Sequence, residues 1–154
     1  MIKTPVFDGH NDLLLALWRS NDLDGKDFIF GRQKGHIDLP RCKKVVLKGI
    51  FAIFVPATNV APEAFWERHP DLVKNKKGAT EKMPSNNLLN TEQISQTYAY
   101  EATIEMINIA HNIADQNPDK LEICTDYATF AVASIKKKLR YFCILKVQRQ
   151  SAQT

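Results

Sequence analysis

Leu47-Lys48-Gly49-Ile50-Phe51-Ala52-Ile53-Phe54-Val55 is the clearest strand of the chain, and the architecture is read outward from it. Every residue from Ile50 to Val55 is apolar, so no side of the strand is left for water. A run apolar on both faces predicts a parallel sheet covered by helices on each side. Toward the N-terminus, Pro5-Val-Phe-Asp8 is a shorter apolar run ending at Gly9, followed by Leu13-Leu-Leu-Ala-Leu-Trp18. This predicts a strand, a polar loop and then a helix. Residues 19 to 36 are rich in Gly, Asp and Lys and are expected to form a loop or hairpin anchored by Phe28, Ile29 and Phe30. A short turn or helix is expected near Leu39-Pro40, because proline suits a first helical position.

Downstream, residues 56 to 88 hold four prolines and show no stable period, which predicts a long surface excursion. A helix should follow, capped by Asn90 with Gln93 three residues on and stapled by Leu89 and Ile94. Ile94, Tyr98, Ala102, Met106, Ile109 and Ile113 recur at helical spacing until Asn117-Pro118 stops it. Leu121 to Thr125 reads as a further strand and Tyr127 to Lys138 as a further helix. Strands alternating with helices place the chain in the α/β class.

The 154 residues carry 44% hydrophobic and 25% charged side chains, which excludes collagen-like, coiled-coil and fully disordered classes. A closed eight-fold (β/α) barrel normally takes about 250 residues, so the length sets a ceiling. No run of 18 apolar residues occurs, and Leu13–Trp18 is only six residues long. Neither a membrane span nor a secretory signal is expected, and no membrane partner. Cys42, Cys124 and Cys143 are odd in number and form no C-x-x-C pair, which suits a reducing compartment; a cytoplasmic location is expected.

The formal charge of +4 is unevenly spread. Six of the 21 basic residues lie in 136–154, which has no acid, leaving 15 basic against 17 acidic groups, or −2, in residues 1–135. A polyanion partner would therefore depend on the tail alone, and no nucleic-acid partner is expected.

The residues that carry chemistry are His10-Asn11-Asp12, directly after the first strand. Alternate side chains of an extended segment point the same way, so His10 and Asp12 can converge on one ion while Asn11 faces elsewhere. An imidazole nitrogen with a carboxylate oxygen is a usual pair for Zn²⁺. A second H-x-D, His36-Ile37-Asp38, follows polar residues rather than a strand and is the weaker candidate. His69 and His111 read as surface or helix-face histidines.

Three strings, Pro5-Val-Phe-Asp-Gly-His-Asn-Asp-Leu13, Gly35-His-Ile-Asp-Leu-Pro-Arg41 and Leu47-Lys-Gly-Ile-Phe-Ala-Ile-Phe-Val-Pro56, occur in this order. Together they resemble the beginning of the membrane (renal-type) dipeptidase family of zinc peptidases, over residues 5 to about 138. One departure is Val45-Val46, where the family commonly has glycines. The resemblance implies a partial TIM-like barrel of the amidohydrolase-like type, amounting to the first two to three βα units. It implies hydrolysis of dipeptides with zinc as cofactor, with His10 and Asp12 as the first-strand metal ligands and no ligand from Asp38 to Arg41. The family uses two zinc ions bridged by a glutamate, which lower the pKa of a shared water and polarise the peptide carbonyl. That glutamate, in a segment resembling I-E-G-A, two further histidines and an acid/base aspartate have no counterpart here, so no catalytic residue is assigned and this chain alone is expected to be inactive.

Residues 1–138 thus read as the N-terminal part of a dipeptidase barrel, and residues 139–154 as a tail unlike the family. The first part of that tail can pass as a strand. Reading each codon's last base with the next two permits L-H-I-E-G-A-E-A-I-G from Phe142 onward, which resembles the absent segment. Lys136-Lys137-Lys138, from A-rich codons, is a site at which a reading frame can slip. The expectation is a frameshifted, truncated dipeptidase. The rival from another class is a small non-catalytic module that binds a polyanion through its basic C-terminal tail.

Overall fold

The computed structural model describes residues 6–45, 47–73, 94–124, 126, 128, 129 and 139–144. Strands β1 (Val6–Asp8), β2 (Leu47–Ala52), β3 (Leu121–Cys124) and β4 (Leu139–Ile144) form one sheet in the order β1-β2-β4-β3. All three neighbouring pairs are parallel, as the apolar run predicts, but the strand ends at Ala52 rather than Val55 and Phe54 beyond it is exposed. Parallel neighbours require a crossover. Between β1 and β2 it holds α1 (Leu13–Arg19), α2 (Lys26–Phe30) and α3 (Leu39–Val45). A short 3-10 turn (Thr58–Val60), α4 (Glu63–Arg68) and α5 (Gln96–Asp115) lie between β2 and β3. β4 then returns to insert between β2 and β3, with Gly49 opposite Tyr141 and Cys124 opposite Phe142.

The core forms where α1 and α5 pack together above β2. From α5 it takes Tyr98, Ala102, Met106, Ile109, Ala110 and Ile113, and from α1 Leu13, Leu14, Leu17 and Trp18. Phe51 and Ile53 contribute from β2 and the residue beyond it. Phe65 of α4 meets Trp18 and Tyr98 edge-on at 5.3 and 5.5 Å, and Trp66 stacks on Tyr98 at 5.6 Å. Tyr98 has its hydroxyl donating to the Pro56 carbonyl at 3.0 Å, and burial pushes its phenol well above the usual range. Among the described residues, no helix is long and apolar enough to cross a membrane. Cys42 and Cys124 are buried and take part in no disulfide.

Four sequence expectations are corrected. Residues 26–30 are a helix rather than a loop or hairpin, and only Phe28 of the anchor is fully buried, Phe30 being 81% exposed. The excursion from 56 contains α4, because Phe65 and Trp66 are adjacent apolar side chains large enough to hold one short helix against the core. The long helix starts at Gln96, with Ser95 as its cap: the Ser95 hydroxyl oxygen accepts the Tyr98 N–H. Asn90, Gln93 and Leu89 lie outside the described residues, as do residues 130–138 of the last expected helix. Finally, His69, expected as a surface or helix-face histidine, is partly buried at 21% exposure, with its ring 3.0 Å from Glu105.

Candidate metal centre

All strands of a parallel sheet end at the same edge, and ligand sites of α/β proteins gather there. β1 ends at Asp8, and His10, Asn11 and Asp12 form the turn between that edge and α1. Asp8 organises the turn. One carboxylate oxygen accepts the His10 N–H at 3.1 Å and the other accepts the Asn11 side-chain amide at 3.0 Å. Asn11 is buried, and its own oxygen accepts the Leu13 N–H at 3.3 Å, at the start of α1.

Asp12 occupies the N-cap position of α1, where an aspartate ordinarily turns back to accept a helix N–H. It makes no such bond. Its Oδ1 instead stands 3.2 Å from His10 Nε2, with both side chains more than half exposed. Residues 10 and 12 thus face one another within a turn rather than an extended segment, and residue 11 turns inward. Zinc bound tetrahedrally at ~2.1 Å to nitrogen and ~2.0 Å to oxygen would separate the two donors by about 3.3 Å. The pair therefore fits as two adjacent ligands of such an ion. Among the described residues, no group of three or more His, Cys, Asp or Glu side chains is placed to hold a metal.

The other sequence candidates take structural roles or stay apart. Asp38 is buried and caps α3: its Oδ1 accepts the Arg41 N–H at 2.8 Å and its Oδ2 the Arg32 N–H at 3.1 Å. The Arg41 guanidinium closes the loop onto the Asp38 carboxylate at 3.1 Å and the Gly35 carbonyl at 2.8 Å. His36, beside it, is exposed, whereas the Asp38 carboxylate is buried and committed to the α3 cap. His111 lies exposed on α5. Asp8 was missed by spacing arguments, although an Asp and an Asn flanking a candidate ligand before a helix are the residues that build such turns.

The sequence model of the family described as Membrane dipeptidase (Peptidase family M19) matches residues 1–146. A protein of Acinetobacter calcoaceticus, described as an uncharacterized protein in the PQQ-III 3' region, is 33% identical over 139 residues, covering 88% of this chain and 38% of that protein. Among solved structures, the dipeptidase AC, a metallopeptidase of family M19, superposes with a TM-score of 0.56 at 22% identity, over 91% of this chain and 36% of that one. The chain thus spans little more than a third of the length of the relatives it matches. With the strand-end His10/Asp12 pair already in place, the match over nearly the whole sequence shows that the chain belongs to the membrane dipeptidase family.

Proposed function

We propose that this chain carries the first βα units of a zinc-dependent metallodipeptidase barrel, with His10 and Asp12 as two of its metal ligands. The observation that carries the reading is the cap position of α1: Asp12 forgoes a helix N–H and faces His10 at 3.2 Å instead. Zinc, when bound, supplies an activated water and polarises the scissile carbonyl. The chain's own contribution is an imidazole and a carboxylate, set side by side at the sheet edge where a dipeptide would be presented. Two protein donors are fewer than the three that a catalytic zinc site normally takes, so hydrolysis by these 154 residues alone is not expected.

Residues 139–154 are proposed to be out of frame. The shifted frame permits a glutamate across the codons of Leu145 and Lys146, directly after Ile144, the last residue of β4 paired with β2. The test is to read the nucleotides of codons 134 to 154, restore the shifted frame and assay a panel of dipeptides. Activity that chelation abolishes, zinc restores, and His10→Ala or Asp12→Ala removes is expected. An early stop codon in the shifted frame overturns the out-of-frame reading; activity indifferent to chelation and to both substitutions overturns the metal reading.

A further inference from the structure

The His10/Asp12 pair is held by a clamp that neither residue supplies. From the hydrogen bonds of the turn, we infer that Asp8 and Asn11 are positioning residues that pre-form the metal-ligand pair; the inference rests on the reading of His10 and Asp12 as ligands. Each bond has a separate consequence. The Asp8 carboxylate fixes the His10 backbone through its N–H at 3.1 Å, which sets where the imidazole leaves the chain. Its other oxygen holds the Asn11 amide at 3.0 Å and keeps that side chain inside, on the face opposite to the ligands. Asn11 then accepts the Leu13 N–H at 3.3 Å, which satisfies the first amide of α1 and ties the turn to the start of the helix.

The two residues therefore act in sequence. Asp8 orients Asn11 and holds the His10 backbone, and Asn11 holds the Leu13 backbone, so the stretch that bears His10 and Asp12 is fixed at both ends. Without the clamp, the N-cap preference of an aspartate competes with metal binding. Outer partners of this kind typically change metal affinity by about 10- to 100-fold when removed.

The experiment measures zinc affinity of the full 154-residue chain by competition with a chromophoric chelator, and the visible spectrum of the Co²⁺-loaded form. His10→Ala is the control for the ligand reading. Asp8→Asn retains an oxygen for the His10 N–H but sets two amide NH₂ groups against each other, and Asn11→Leu removes the link to α1 while filling the same buried space. Both are expected to weaken zinc binding about 10- to 100-fold and to alter the Co²⁺ spectrum, with the metal-free chain still folded by circular dichroism. The exchange Asp8→Asn with Asn11→Asp keeps an acceptor oxygen for the His10 and Leu13 N–H groups, reverses only the bond between the two side chains, and is expected to recover most of the affinity. Zinc binding that His10→Ala leaves unchanged, or no binding by the wild type, overturns the ligand reading and the clamp with it. Zinc binding that His10→Ala removes but that Asp8→Asn and Asn11→Leu leave within about twofold of the wild type overturns the clamp alone, as does an exchange variant no better than Asp8→Asn.

Discussion

Glu105 is the most heavily bonded carboxylate among the described residues. It accepts Arg68 through Nε and Nη2 at 2.7 and 2.8 Å and Trp18 Nε1 at 2.7 Å, and lies 3.0 Å from His69 Nε2. Its side chain is only 12% exposed. Burial by itself would raise its pKa, but the bonds from Arg68, Trp18 and His69 outweigh it and hold the group below the ordinary 4.5. A carboxylate depressed in the folded state adds stability that is complete above its unfolded pKa and is lost as pH falls through its folded one. Glu105→Gln is therefore expected to cost on the order of 3 kcal/mol near neutral pH, with the difference from wild type closing as pH drops below 4.5. Urea midpoints measured across that range check it. Little of this was legible beforehand. Glu105 sits at the margin of the apolar stripe of α5, and its partners Trp18 and Arg68 are 87 and 37 residues away.

At the scale of elements, α2 depends on how closely it approaches α5. Gly25 caps α2 in the left-handed region at φ +67°, and a Cβ there would collide with the Ile113 side chain. Gly25→Ala meets both a conformational penalty and an overpacked contact, so a loss of roughly 2 to 4 kcal/mol is expected. In an Ile113→Ala background the contact is relieved and only the backbone part remains, which a double-mutant cycle by chemical denaturation resolves. The glycine-rich composition of residues 19 to 36 suggested a loop, because a helix of five residues has no period to read. The same limit hid α4, whose six residues are held by Phe65 and Trp66 against partners distant in sequence. The twenty residues of α5 were legible because their apolar spacing repeats over five turns; its first residue was not, since Ser95 and Asn90 are both good caps.

At the scale of the whole molecule, β1 is an edge of the described sheet and leaves Val6 and Phe7 each 51% exposed. An exposed apolar edge strand invites pairing with another chain. The 154-residue chain is expected to bind an apolar dye and to associate as its concentration rises, and Phe7→Lys to reduce both, as followed by fluorescence and light scattering. The sequence by itself determined the α/β class, the strands at 6–8 and 121–124, the parallel character of β2 and the His10/Asp12 pair, because each is written in local spacing or in a run of apolar residues. Only the tertiary structure decided that β4 inserts between β2 and β3, that Asp38 is a buried cap, and that Asp8 and Asn11 shape the turn bearing His10 and Asp12. Strand order depends on contacts between distant segments, and a polar side chain's role depends on which backbone donors the fold brings to it. Neither is carried by the spacing of residues along the chain.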